Sequence, residues 1–205
     1  MMRARGHFLV LRAVLLAMAL AAPFAGQSAR AGRVSIPLVC SRGKGGRSTE
    51  VSLTAPFAVA PGTVFTVRVD GANSGKISHP ALKYVHDMTY EYLVPAGSAY
   101  VEESARIVEG TGTPNVRAGA RVSHANGVIV LVLPARVEEG SSYTPPTFEF
   151  QLRATASEGA DIAHAFAGYR ITANAMIVGD LQASCEPTPK PYPVGVTHIH
   201  GANEP

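Results

Sequence analysis

The sequence has no tryptophan, only two cysteines in 205 residues, and little charge: Asp, Glu, Lys and Arg together make up 16%. Each scarcity excludes something. Without tryptophan, the largest aromatic platform for a sugar ring is missing. Two cysteines allow one disulfide and no denser framework. The longest apolar run, "AVLLAMALAAPFA" from Ala13 to Ala25, is too short to span a bilayer as a helix. No twelve-residue stretch carries a clear helical moment. "YVEESARIVE" (100–109) comes nearest, but Gly97 and Gly110 bound it tightly and it reads equally well as a strand.

What is present first is a leader. "MMRARGHFLVLR" is short and basic, the apolar run follows, and "GQSARAG" offers the small-x-small site Ala29-Arg30-Ala31. This is the three-part pattern of a secretory signal peptide, with cleavage expected after Ala31 and residues 1–31 removed. Arg3, Arg5, Arg12 and Arg30 would leave with it, so a chain of 18 Lys+Arg and 15 Asp+Glu becomes one with formal charge −1. The basic balance therefore belongs to the precursor and gives no reason to expect nucleic acid. The remaining residues make one ordinary domain, expected over 32–186, with no second apolar segment to cross a membrane.

That domain reads as strands. In "VFTVRVD" (64–70), Phe65, Val67 and Val69 share one face. In "TFEFQLRAT" (147–155), Phe148, Phe150, Leu152 and Ala154 alternate with Glu149, Gln151 and Arg153. This is the half-buried antiparallel pattern. "GVIVLVLPA" (127–135) is apolar throughout, which fits a strand covered on both faces or one with a face on a partner. Asn126-Gly127 is the strongest of several hairpin signals, and turns recur every eight to fifteen residues or so. The expected fold is all-β: an immunoglobulin-like antiparallel β-sandwich. In an oxidising compartment Cys40 and Cys185 read as a disulfide joining the first strand to the last. After Cys185, "EPTPKPYPVGVTHIHGANEP" holds five prolines, and residues 187–205 are expected to leave the sandwich as an extended tail.

Candidate chemistry is sparse. "CSRGKGGRSTEV" (40–51) is glycine-rich and basic, but lacks the G-x-x-x-x-G-K-[ST] order and is followed by strand-like alternation, not a helix. It reads as a basic hairpin loop, with an anion contact by Arg42, Lys44 and Arg47 as the alternative. His198 and His200 lie two apart, a half-site for a metal that needs further ligands; two solvated histidines are the plainer reading. Tyr84, His86, Met88, Tyr90 and Tyr92 form a period-two stripe that reads as a core face, with sugar binding as its rival. No G-x-S-x-G occurs, no spacing pairs a nucleophile with a base, and no carboxylate pair stands out. The expectation is no catalytic residue and no cofactor.

The segments "VPAGSAYV" (94–101), "GVIVLVLPARVEEGSSYTPPTFEFQLRATASEGADI" (127–162) and "SCEPTPKPYPVGVTHI" (184–199) resemble a group of exported actinobacterial proteins with one cysteine on the first strand and one near the end. Automatic labels call that group cyclase or dehydratase, but no residue here carries such chemistry. "VPAGSAYV" followed by Glu139-Gly140-Ser141-Ser142 is also similar to immunoglobulin-like repeats of bacterial surface proteins. The resemblance implies the β-sandwich and the disulfide. The function expected is a secreted, non-catalytic protein that binds a cell-envelope component or surface protein, or serves as a structural module there. An envelope lipid- or polymer-acting enzyme and an exported metal-binding protein using His198 and His200 are the alternatives. Fold class alone decides none of them.

Overall fold

The structure, a computed structural model, describes residues 30–42 and 47–201. The chain opens with β1 (Arg30–Cys40), β2 (Arg47–Ala55), the two-residue β3 (Ala58–Val59) and β4 (Val64–Asp70). β5 (Leu82–Leu93) is long, and the short β6 (Ser98–Tyr100) and β7 (Arg106–Ile107) follow. After a single helical turn, α1 (Pro114–Arg117), come β8 (Arg121–Ala125), β9 (Val128–Leu133) and β10 (Val137–Glu138). The last four strands are β11 (Phe148–Ala154), β12 (Asp161–Ala175), β13 (Gly179–Pro187) and β14 (Tyr192–Ile199). The fold is all-β, as the alternation predicts, and its pairing is almost wholly antiparallel.

The strand order β6-β11-β4-β2-β1-β13-β12-β5-β9-β8 folds over on itself. One layer is β11, β4, β2 and β1. The other is β9, β5 and β12, with β14 alongside the first half of β12. The apolar faces meet between them: Tyr92 of β5 packs edge-on to Phe148 of β11 at 5.5 Å between ring centres. Phe65, Val67 and Val69 of β4 and Phe148, Phe150 and Leu152 of β11 are all buried, the faces expected from period two. β9 puts Ile129, Leu131 and Leu133 into the core and leaves Val128, Val130 and Val132 half-exposed. Asn126 and Gly127, at φ +51° and +74°, make the two-residue turn between β8 and β9.

The two cysteines form a disulfide with Cα atoms 4.0 Å apart. It joins β1 to β13, the penultimate strand, because the segment expected to be a free tail is the last one. β14 pairs antiparallel with β12 from Asp161 to Phe166 and parallel with β3. Val194, Thr197 and Ile199 are buried. Prolines 187, 189, 191 and 193 cluster around the crossing between β13 and β14, and alternation resumes from Val194 onward. The density of proline concealed a strand whose prolines lie at its start, where a missing N–H is tolerated. Arg30 and Ala31 of the expected leader are the first residues of β1, opposite Ala55 and Thr54. Residues 1–29 lie outside the described residues. No helix among the described residues is long and apolar enough to cross a membrane.

Candidate functional site

The period-two stripe on β5 is broken in the structure. Thr89 opposes Arg170 and His86 opposes Thr172, so Asp87 and Met88 together face the single residue Ile171 of β12. This β-bulge places Asp87 at φ +48° and reverses the alternation. Met88, Tyr90 and Tyr92 therefore point inward, whereas Tyr84 and His86 turn to the outer face. The expected core stripe is correct for its second half and wrong for its first.

Inward, the Tyr90 and Tyr143 hydroxyls share a hydrogen bond of 2.6 Å. Burial raises the Tyr90 hydroxyl well above its ordinary pKa, with Tyr143 beside it adding to the effect. Burial also pushes Tyr143 up to about 12. These two groups stay neutral and structural.

Outward, Arg136 stacks over Tyr84, its guanidinium 3.6 Å from the ring centre. His86 Nδ1 lies 2.8 Å from Asp87 Oδ2, and its Nε2, shielded from solvent, lies 3.5 Å from Asp180 Oδ1. Asn174 Nδ2 donates to that same Asp180 carboxylate at 2.6 Å. The hydrogen bond from Asn174 holds Asp180 below the usual carboxylate range, helped by His86.

Strand pairing extends this cluster into a grid. Thr89, Arg170 and Ser184 lie abreast across β5, β12 and β13; His86, Thr172 and Gln182 form the next row, and Tyr84, Asn174 and Asp180 the third. Arg170 pairs with Glu91 on the same face. A groove of about 440 Å³ runs along it, lined by Ser41, Asp87, Thr89, Arg170, Thr172, Gln182 and Ser184. Sequence reasoning missed this face because its members come from three strands. The available signal was the alternation of β12 in "YRITANA", where Arg170, Thr172 and Asn174 fall on one side.

The basic loop touches the rim of this groove. Arg42 Nε donates to the Gln182 carbonyl at 3.0 Å, and Ser41 and Ser184 exchange two hydrogen bonds. Arg47 is exposed at the start of β2, and Lys44 lies outside the described residues. His198 and His200 do face the same way, with rings 6.1 Å apart. His198 Nδ1 is 2.7 Å from Asp161 Oδ1 and its ring packs on Phe57. Among the described residues no group of three or more His, Cys, Asp or Glu is placed to hold a metal.

His164, unremarked in the sequence, is buried between the layers at 2% exposure. Thr197 Oγ1 donates to the Pro56 carbonyl at 2.9 Å, so at 3.0 Å it accepts from His164 Nε2. That fixes a neutral Nε2–H tautomer in a site walled by Phe65 and Gly195. Burial lowers the His164 pKa to about 4. The unfolded chain, with an ordinary histidine, takes up a proton first as pH falls below about 6.5. Stability is therefore complete above that pH and falls with acid down to about pH 4. The loss amounts to roughly 2 kcal/mol at pH 5. Denaturant midpoints at pH 7 and pH 5 should differ by that amount in the native protein, and His164→Gln should flatten the difference. Equal slopes in both would remove His164 as the cause.

No protein-family model matches the chain, and no curated protein sequence does. Among solved structures, it is similar to a Corynebacterium diphtheriae protein assigned as membrane-anchored, at 15% identity and TM-score 0.45, over 84% of this chain and 38% of that one. It is also similar to the major pilin SpaD of the same species, at 9% identity and TM-score 0.37, over 72% of this chain and 33% of that one. A third is BcpA, the major pilin subunit of Bacillus cereus, at 10% identity and TM-score 0.37, over 79% and 48%. The chain thus spans less than half the length of each.

Proposed function

We propose that the protein is exported and acts without catalysis at the cell envelope, as a binding or structural β-sandwich. The observation that carries this is the bridge between Cys40 and Cys185, 145 residues apart. A single disulfide clamping the first strand of a domain suits an oxidising compartment, and the leader-like N-terminus agrees with it. His164 is sealed in the core by Thr197, out of reach of a substrate.

The test is co-sedimentation of the oxidised protein with purified envelope fractions, at low and high salt, with and without chelator. Saturable binding is the expected outcome. Loss of binding in high salt would assign it to Arg42 and its neighbours, and loss with chelator would assign it to His198 and His200. Absence of binding to every fraction would overturn the reading.

A further inference from the structure

The groove on the outer face of β5, β12 and β13 has the chemistry of a binding site whose occupant can be named by class. We propose that it binds an uncharged polyhydroxyl chain, a neutral glycan. This deepens the envelope-binding reading and rests on it.

Four features point there. The first is concavity: about 440 Å³ on a sheet face falls within the range of ligand clefts. The second is composition. Outward positions of an exposed sheet are commonly long charged side chains, yet Thr89, Thr172, Ser184 and Gln182 present hydroxyls and an amide that both donate and accept. That matches a ligand whose every hydroxyl does the same. Adjacent strands set these groups about 4.8 Å apart across the sheet, comparable to the length of a sugar ring.

The third feature is charge. Arg170 is paired with Glu91, the Asp87 carboxylate lies 2.8 Å from His86 Nδ1, and the Arg42 Nε–H is directed to the Gln182 carbonyl. The exposed carboxylates of Asp87 and Asp180 would repel a polyanion. Thr89, Thr172, Gln182 and Ser184 are the neutral hydrogen-bonding groups of the lining. The fourth is rigidity. Ser184 adjoins Cys185 in the disulfide and exchanges hydrogen bonds with Ser41, so the floor is set before a ligand arrives and less ordering is lost on binding. The bulge at Asp87 contributes by re-aiming β5, a use bulges serve beside functional sites.

The experiment is affinity electrophoresis of the oxidised full chain in gels cast with dextran, mannan, galactan or xylan, with polygalacturonate as the anionic comparison. Retardation by at least one neutral polymer is expected. Soluble oligosaccharides of the same sugar should compete, which would extend recognition to free glycan as well as polymer. A Thr172→Ala/Gln182→Ala double variant should bind about tenfold more weakly through two lost hydrogen bonds. Thr172→Arg, which fills the groove without touching the core, should abolish retardation. Both variants should melt within a few degrees of the native protein, since the side chains are on the surface. No retardation by any neutral polymer, retardation by polygalacturonate alone, or retardation unchanged in both variants would overturn the proposal. Envelope sedimentation that persists in Thr172→Arg would sink the groove and leave the envelope reading standing. Retardation in neutral gels without envelope sedimentation would do the reverse.

Discussion

Reduction of the Cys40–Cys185 bridge is expected to cost about 5 kcal/mol of unfolding free energy, by the chain-entropy relation for a loop of 145 residues. That is comparable to the whole stability of many domains. The structure shows why the loss would not be made up elsewhere. β1 touches β13 through a short register alone, Leu38 to Cys40 against Pro187 to Cys185. Yet β1 delivers Ile36 and Leu38 to the core, and its other edge depends on β2. Without the bridge, the unfolded chain regains its full freedom while the native contacts stay as they were. Guanidinium unfolding of the oxidised protein and of Cys40→Ser/Cys185→Ser should give midpoints separated by about that free energy. The oxidised mass should lie two hydrogens below that of the reduced chain. A separation under about 1 kcal/mol, or two free thiols in the native protein, would contradict the account.

How much of this was legible depends on whether the information is local. The alternation of 64–70 and 147–155 survives intact in β4 and β11, because both strands lie flat on the core and no bulge disturbs their phase. The turn at Asn126-Gly127 needs positive φ at both residues, and Asn-Gly is the pair that supplies it, so it too was readable. Tyr84 and His86 were assigned to the wrong face because one extra residue, Asp87, shifts the phase, and a bulge leaves no period of its own. β14 was hidden by proline at its entry, although Val194, Thr197 and Ile199 are as buried as any core residue. The outer grid is beyond sequence reading for a different reason. Thr89, Thr172 and Gln182 are unremarkable apart and acquire meaning from a register between strands up to 93 positions apart in the chain. His164 belongs with them: its role rests on Thr197, which the β12–β14 pairing brings beside it, and on Pro56, which precedes the β3 strand paired with β14.

The most damaging single substitution expected is Gly71→Ala. Gly71 follows the last residue of β4, and a Cβ there would lie 1.9 Å from the Pro145 carbonyl oxygen and 2.7 Å from its carbon. The obstacle is backbone, so no rotamer change relieves it. Gly112, with φ +73°, is also tight against this segment: a Cβ there would lie 2.7 Å from Pro146 N and Cα. The two glycines hold the segment from Tyr143 to Thr147 in a cradle. Its hydrogen bonds include Ser74 N–H to the Tyr143 carbonyl, Tyr143 N–H to Ser74 Oγ, Thr113 N–H to the Thr144 carbonyl, and Thr147 Oγ1 to Asp70. A methyl at Gly71 must push that segment away and break several of these together. It would also draw the Tyr143 hydroxyl from Tyr90, leaving a buried polar group unpaired at about 1–3 kcal/mol. Added to the steric strain, the loss should reach at least about 3 kcal/mol. Gly32→Ala is the matched control. Its Cβ meets nothing within 4 Å, and its effect should stay within about 0.5 kcal/mol. Denaturant midpoints of the two variants decide the matter: a Gly71→Ala protein as stable as Gly32→Ala would mean that β4 and the Pro145 segment do not approach as described.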